Sequence, residues 1–334
     1  MTEEHPFARF VRIIGKGPNL SRPLTEDEMY EAARMILEDR VEPLQLGAFL
    51  CILRLRTEVP EEGLGFVRAI RDTLELPENP PRVDLDWSSY AGKKRQLPWF
   101  LLSALLLAEN GIRVCMQGTE GHTPGRLYSR EVLESLGVAI AGSLSEAADH
   151  IRAHNFAYVP LAVFSRRLQD IIDLKPVLGL RSPVNTFARM INPFSAPYEM
   201  QTVFHPNYRD VHRETAALLG QPHMAVFKGE GGEAERRPGK PVVVQSLHDG
   251  VMSEEEWPAL LPGKSVRTDE EMDPGRLRAV WSGEQVDTFA TAAVTGTLAI
   301  ALRLLGRAGS IEEAEAQAQA MWRARDRGRM EAAA

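Results

Sequence analysis

The 334-residue sequence has only two cysteines, and this scarcity excludes a disulfide-stabilised scaffold. Cys51 and Cys115 each lie in an apolar run, which favours buried thiols over a metal site. Long hydrophobic runs are also missing, because the longest uncharged segment, residues 288–302, is too short and too rich in threonine to span a bilayer. We therefore expect a protein of the reducing cytoplasm that makes no membrane contact.

An excess of positive charge is likewise absent, because 39 Lys and Arg residues face 46 Asp and Glu residues, for a net charge of −7. That balance argues against a uniformly basic nucleic-acid-binding protein. The cations nevertheless cluster around Lys93, around Arg166 and in the glycine-rich segment 228–240, whereas the acidic excess lies elsewhere. A basic groove on an acidic body is therefore compatible with the composition.

The first 80 residues have the pattern of a small all-helical domain. Thr25 and Glu28 have the spacing of a capping box, and apolar residues follow at helical intervals. Pro43 and Pro60 each fit the first turn of a further helix. Three helices joined by short turns are therefore predicted, and they end before the proline-rich stretch 77–81.

Residues 81–334 show a different pattern, in which short β-rich runs alternate with helices. Strands are predicted at 112–116, 156–159, 224–227 and 242–244, and helices at 97–109, at 285–305 and at 311–325. Ser129 and Ser145 are predicted to be the N-terminal caps of two further helices. This alternation favours a larger α/β domain with a central, largely parallel sheet covered on both faces.

Four segments, taken in their order and spacing, resemble a known family. They read LTEDEMYEAARMIL at 24–37, GIRVCMQG at 111–118, SREVLESLGV at 129–138, and GLRSPVN at 179–185 followed by INP at 191–193. The chain resembles the anthranilate phosphoribosyltransferases and pyrimidine nucleoside phosphorylases of glycosyltransferase family 3. The resemblance implies the nucleoside phosphorylase/phosphoribosyltransferase fold, with residues 165–193 joining the helical domain. It also implies an active site in the cleft between the domains and a homodimer formed through the helical domains.

The sequence departs from that family where the family binds phosphoribosyl pyrophosphate (PRPP). The glycine-rich GTGGD loop, which cradles the pyrophosphate, corresponds to residues 88–92, where one glycine remains and Tyr90 is expected to crowd the loop. The N-x-S-T patch becomes residues 98–101 without a hydroxyl or amide, and the K-H-G-N turn loses its lysine at residues 116–119. The acidic pair that holds Mg²⁺ becomes Ala234 and Glu235. We therefore expect no metal site and no ordinary PRPP binding.

Cations replace the lost features in the segments that border the family's interdomain cleft. Because a row of cations with interspersed glycines suits a phosphate backbone, these segments are predicted to bind nucleic-acid phosphates. The predicted phosphate-binding residues are Lys93, Lys94, Arg95, Arg166, Arg181, Arg189, Lys228, Gly229, Gly231, Gly232, Arg236 and Arg237. Gly118, His122 and Asn185 are predicted to lie in the cleft, and no catalytic residue is assigned. The basic loop resembles that of a divergent branch of the family that binds DNA or RNA.

Some residues have two interpretations. Trp87 and Trp99 flank the basic run and could stack on bases, but core packing is favoured. His205 and His212 lack a third ligand at metal spacing, so they are interpreted as loop or core residues.

The leading functional hypothesis is binding of single-stranded DNA or RNA in a basic interdomain groove, without sequence specificity and without a cofactor. The alternative is an active transferase that moves phosphoribosyl from PRPP to anthranilate or a similar aromatic amine, with Mg²⁺. A third hypothesis is a nucleoside phosphorylase. The sequence leaves open whether the chain is an enzyme.

Overall fold

The computed structural model describes residues 3–17, 19–263, 269 and 271–330. The N-terminal part consists of helices α1 (Ala8–Gly15), α2 (Glu26–Leu37), α3 (Pro43–Arg56) and α4 (Pro60–Arg71). The capping box is confirmed, because the Thr25 hydroxyl accepts from the Glu28 amide and the Glu28 carboxylate accepts from the Thr25 amide. Helices α3 and α4 begin at Pro43 and Pro60 as predicted, and α1 is an additional helix that the sequence analysis missed.

The α/β part is built on a seven-stranded sheet with the order β3-β2-β1-β4-β5-β6-β7. The first five strands in that order run parallel, and β6 and β7 form an antiparallel hairpin at one edge. The expected helical domain and largely parallel α/β sheet are therefore confirmed. The strands are β1 (Leu85–Ser89), β2 (Val114–Gly118), β3 (Phe156–Pro160), β4 (Tyr198–Val203), β5 (His223–Lys228), β6 (Val242–His248) and β7 (Val251–Trp257).

The remaining helices connect or cover the strands. They are α5 (Phe100–Glu109), α6 (Ser129–Ser135), α7 (Leu144–His154), α8 (Leu161–Phe164), α9 (Arg166–Asp173), α10 (Lys175–Leu178), α11 (Val184–Phe187), α12 (Tyr208–Leu218), α13 (Gly275–Ser282), α14 (Thr288–Leu304) and α15 (Ile311–Ala324), with 3-10 turns at Ala188–Met190 and Glu230–Gly232. Two predicted caps are wrong: the hydroxyl that caps α7 belongs to Ser143, not Ser145, and Ser129 is the first residue of α6.

Successive strand residues point into two different cores, as the pleat requires. Leu85 and Trp87 of β1 pack with α5, α14 and α15 on one face, whereas Cys115 of β2 packs with α7 on the other. Trp87 and Trp99 are both buried in the first of these cores, which confirms the core interpretation over base stacking.

A third core unites α1 to α4 with the chain between Leu161 and Ile191, whose buried residues include Leu168 and Phe187. This helical mass lies over the carboxyl ends of the parallel strands, where the loops after β1, β2, β4 and β5 emerge. Ligands of open parallel sheets bind at this edge. The cysteines are free, and within the described residues no helix is long and apolar enough to cross a membrane.

Candidate functional site

Among the cavities at the carboxyl edge of the sheet, two are lined by residues that the sequence analysis predicted. The interdomain cavity, of about 110 Å³, lies between α3, the chain around Arg181 and the end of β4. The basic cavity, of about 400 Å³, lies between the loops that follow β1 and β5. Phe204 follows β4 directly and lines both cavities.

The basic cavity gathers four of the cations that the sequence analysis predicted. Lys94, Arg95, Lys228 and Arg237 line it, and the first two are exposed. Arg126 joins them, although the sequence analysis did not select it, because it lies in the loop after β2 and outside the basic clusters. These five cations share the cavity with the Glu230 carboxylate, whose distance to the Arg237 guanidinium is 3.3 Å, so the cavity keeps a positive excess.

Lys93 also lines the basic cavity but is not a free cation. Its ammonium lies 2.6 Å from the Glu235 carboxylate, and both side chains are almost fully buried. Glu235 also accepts from the Phe100 amide at the start of α5. Burial raises the pKa of Glu235, and the charge of Lys93 opposes that rise. Lys93 is therefore committed to an internal ion pair and cannot neutralise a ligand phosphate without breaking it.

Arg236 lines neither cavity, and the prediction that it faces the groove requires correction. Its side chain is 0% exposed. The guanidinium lies 4.9 Å from the Trp257 ring centroid and donates to Glu315 at 2.7 Å and to the Pro258 carbonyl at 2.6 Å. Successive side chains of an extended segment point to opposite sides, so Arg236 points inward where Arg237 points into the cavity. Arg166 is also outside both cavities, on the surface of α9, where it pairs with Asp170.

The interdomain cavity is lined by Arg54, Arg181 and Arg189. Arg189 is 8% exposed and lies 5.6 Å from the Tyr90 ring centroid, and within the described part of the chain its Nη1 has no hydrogen-bond partner. The Asn185 amide oxygen, which also lines this cavity, lacks a partner there as well. Burial lowers the pKa of both Arg181 and Arg189. This cavity is therefore lined by three arginines that could meet a small anion, and the side chain of Arg189 is buried.

The loop at residues 88–92 does not have the crowding that the sequence analysis expected. Tyr90 turns into the helical core and donates to Gln117, so its ring leaves the loop surface free. Instead, one carboxylate oxygen of Glu233 accepts hydrogen bonds from the backbone amides of Ala91 and Gly92, each at 2.6 Å. The loop that the family resemblance assigns to pyrophosphate is thus occupied by a side chain of this protein.

His122 and Gly118, which were predicted to lie in the cleft, line neither cavity. His122 is buried, bonds to the Tyr90 carbonyl and the Thr123 hydroxyl, and has a pKa lowered by burial to about 4. It is therefore neutral near pH 7 and ties two loops together. Gly118 is the buried last residue of β2 and lies against the carbonyl of Ser89. His212, predicted as a loop or core residue, is buried on α12 and bonds to Gln201.

The acidic residues of this region do not suit Mg²⁺, which prefers one or two carboxylates free to meet it together with phosphate. Glu235 is bound to Lys93, Glu230 lies beside Arg237, and Glu233 is bound to the 88–92 loop. Over the described ranges, no group of three or more His, Cys, Asp or Glu side chains could hold a metal ion.

Phe204 is the main residue that the sequence analysis missed. Its ring is 52% exposed, although it lies beside two cation-lined cavities. Its position one residue beyond a buried strand was the available signal, since binding residues concentrate in loops at that edge.

Comparisons with known proteins agree with this architecture. Residues 10–74 match the helical bundle domain, and residues 100–324 the a/b domain, of a glycosyl transferase family. An anthranilate phosphoribosyltransferase of Geobacillus kaustophilus (strain HTA426) is 26% identical over 231 residues, which are 69% of this chain and 68% of that protein.

Two solved structures share the fold. The anthranilate phosphoribosyltransferase of Thermus thermophilus matches with a TM-score of 0.79 and 22% identity, over 98% of this chain and 96% of that chain. The Saccharomyces cerevisiae enzyme, solved in complex with PRPP and Mg, matches with a TM-score of 0.79 and 14% identity, over 97% of this chain and 94% of that chain.

Proposed function

This chain belongs to the glycosyl transferase family that joins a helical bundle domain to an a/b domain, and we propose that it uses this fold to bind single-stranded DNA or RNA. In this proposal the sugar-phosphate backbone follows the basic cavity, and the bases are not read individually. The ligand differs from that of the related enzymes because the donor loop carries an anion of its own.

The observation that carries the proposal is the convergence of five cations on one cavity of a chain whose net charge is −7. Lys94, Arg95, Arg126 and Arg237 come from three different loops, Lys228 is the last residue of β5, and folding brings the five together. The acidic surface outside this cavity repels a polyanion, so the polyanion is favoured to dock only at the cavity. Neutralised phosphates release counterions, which drives association without base readout.

Phe204 gives the same surface a stacking platform. Its exposed ring separates the basic cavity from the interdomain cavity. Every base has a flat π-face, so stacking on such a ring contributes affinity for any sequence. Double-stranded ligands hide those faces, and we therefore expect single strands to be preferred.

The contacts of Glu233 and Glu235 argue against ordinary PRPP binding. A pyrophosphate at residues 88–92 needs the amides that Glu233 occupies, and its Mg²⁺ needs carboxylates that are here paired with lysine or arginine. Each loss removes a charged contact worth roughly 1.5–3 kcal/mol.

Phosphoribosyl transfer to anthranilate or a similar aromatic amine is the second candidate, and the comparisons favour it. The Geobacillus kaustophilus relative is an anthranilate phosphoribosyltransferase, and the yeast structure contains PRPP and Mg. The guanidinium groups of the half-buried Arg181 and the buried Arg189 would suit the carboxylate of an aromatic acid. No reaction step through Mg²⁺ follows from the residues of this chain.

The two candidates are separated by two titrations on one preparation. Fluorescent single-stranded oligonucleotides of unrelated sequences should bind with similar affinities, and calorimetry should detect no binding of PRPP with Mg²⁺. If four of the five cations engage, the slope of log K against log salt should be about −3. Absence of oligonucleotide binding combined with micromolar PRPP affinity would reject the proposal in favour of the transferase.

A further inference from the structure

We propose that Glu233 is an internal ligand, whose carboxylate fills a small oxyanion site formed by the backbone of residues 91 and 92 and keeps that site closed to free phosphate or carboxylate. This site is separate from the basic cavity and does not depend on nucleic-acid binding. The ligand class is a small oxyanion, because the present occupant is one.

The contacts of Glu233 are those of a bound anion. One carboxylate oxygen accepts from both the Ala91 and the Gly92 amide, each at 2.6 Å, which is the short range of charge-assisted hydrogen bonds. The residue is 1% exposed. Its second carboxylate oxygen has no hydrogen-bond partner within the described part of the chain, so the side chain makes its bonds mainly to this amide pair.

Arg126 holds the amides of Ala91 and Gly92 in an arrangement that suits an anion. Both amides point toward the same Glu233 oxygen, and Gly92, with a φ of +65°, has the left-handed backbone conformation that favours glycine. Successive amides arranged in this way form a concave nest for an anion. Arg126 donates from the opposite side to the carbonyls of Ala91 and Gly92, both at 2.9 Å, and so fixes the two peptide units.

Two further cations respond to the same carboxylate. Burial lowers the pKa of Arg181 and of Arg189, and the negative charge of Glu233 opposes that change for both guanidinium groups. Arg189 is itself more than nine-tenths buried and has one unpartnered nitrogen, Nη1, among the described residues. Removal of the carboxylate would leave two amides without their acceptor and would remove a negative charge that acts on Arg181 and on the buried Arg189.

The glycines of the loop after β5 bring Glu233 to this position. A Cβ on Gly229 would lie 1.7 Å from the Glu233 carbonyl oxygen, so that turn closes only around glycine. Thr202 donates to the Gly232 carbonyl and fixes the loop to the end of β4. Gly229 lines the basic cavity and Thr202 lines the interdomain cavity, so Glu233 lies in the wall between two routes for an incoming anion.

The test compares wild type with Glu233→Ala and Glu233→Gln, using inorganic phosphate and acetate as probes. Thermal melting is recorded in each anion and in chloride at equal ionic strength, and phosphate affinity is measured by calorimetry. We expect Glu233→Ala to melt at a lower temperature in chloride, to be rescued by phosphate or acetate, and to bind phosphate at least tenfold more tightly than wild type. Glu233→Gln, whose amide oxygen still accepts from the nest, should show an intermediate affinity and covers the case in which the alanine variant fails to fold.

Glu62→Ala is the matched control. Glu62 is also a buried carboxylate that accepts from two backbone amides, those of Leu24 and Val59, but it lines neither cavity. Its loss should destabilise the protein without selective rescue by phosphate. The proposal is overturned if neither Glu233 variant binds phosphate more tightly than wild type, or if wild type binds phosphate as tightly as Glu233→Ala.

Discussion

Lys93 and Glu235 form an ion pair of 2.6 Å in which both side chains are almost fully buried. The pair joins the loop after β1 to the loop after β5, and Glu235 connects it to the first amide of α5. The run Lys93-Lys94-Arg95 is therefore divided between an internal cation and two exposed ones.

Replacement of Lys93 by methionine should destabilise the protein by about 3–5 kcal/mol, because it leaves Glu235 as a buried, unpaired charge. The double variant Lys93→Met with Glu235→Gln should recover part of that loss. Urea unfolding measures the free energy of unfolding of the single and the double variant. Lys94→Met, next in the chain but exposed, is the control and should leave stability unchanged. Equal stability of the Lys93 and Lys94 variants would contradict a structural role for the pair.

Arg236 and Arg237 are adjacent but should respond oppositely to replacement by alanine. Arg237→Ala should weaken oligonucleotide binding for all sequences and make the slope of log K against log salt less negative by about 0.7, with unfolding unchanged. Arg236→Ala should cost about 2–3 kcal/mol of stability, because a buried guanidinium bonded to Glu315 is lost. Fluorescence anisotropy at several salt concentrations, with urea unfolding, tests both variants. A salt slope that changes only in Arg236→Ala would reverse our assignment.

Phe204→Ala should weaken single-stranded binding by about 1–3 kcal/mol, the usual contribution of one stacked base, without changing the salt slope. Phe204→Trp should keep the affinity, and its fluorescence should be quenched when the oligonucleotide binds. Val251→Ala, another exposed apolar residue but on β7, is the control. An unchanged affinity of Phe204→Ala would remove the stacking platform from the proposal.

Burial lowers the pKa of His122 to about 4 and that of His212 to about 3, and both histidines make stability rise with pH up to about 6.5. Glu199 should contribute in the opposite direction between about pH 4.5 and 7, because burial raises its pKa from the ordinary value of 4.5 to about 7. In that interval the folded protein keeps a proton that the unfolded chain has released. The shift corresponds to about 3 kcal/mol, and Asp86, opposite Glu199 on the neighbouring strand, also has a pKa raised by burial. The free energy of unfolding of wild type, measured in urea relative to that of Glu199→Gln, should therefore fall between pH 5 and 8. Glu256→Gln, on exposed β7, should keep the wild-type pH profile.

A homodimer through the helical domain remains a proposal, and α3 offers a surface for it. Leu44 and Leu55 are exposed and lie on one face of that helix with Ala48 and Cys51, at intervals of three to four residues. The variant Leu44→Lys with Leu55→Glu should shift sedimentation from dimer to the 37.2 kDa monomer. Val286→Glu, equally exposed but on the far domain, should leave the sedimentation unchanged. A wild type that sediments only as monomer would end this proposal.

The sequence predicted those features whose cause is local. The capping box at Thr25 and the prolines at Pro43 and Pro60 act within one helical turn, and their helices begin where predicted. Strand β1 was missed because it is buried along its whole length yet contains Asp86 and two serines, so it lacks both alternation and an apolar run.

The site was predictable to the level of its segments but not of its side chains. Lys94, Arg95, Lys228 and Arg237 lie together as expected, because the loops that follow parallel strands meet at one edge. The contact between Glu233 and Ala91 joins residues 142 positions apart, and neither residue has a local pattern that indicates the other. Which of Arg236 and Arg237 faces the cavity depends on the register of an extended segment, and a displacement of one residue would exchange them.

The acidic strand β7 has a consequence for how this protein meets copies of itself. It is the outer strand of the sheet, and Glu254 and Glu256 stand exposed along it. A second sheet that tried to continue the ladder there would bring rows of like charges together, and charged edges discourage such pairing. At the opposite edge, β3 is flanked by the chain at Ile140, which bridges to Tyr158. Both edge strands of the sheet are thus protected against edge-to-edge pairing with another sheet. A sheet of seven strands can therefore remain open at its edges without promoting aggregation.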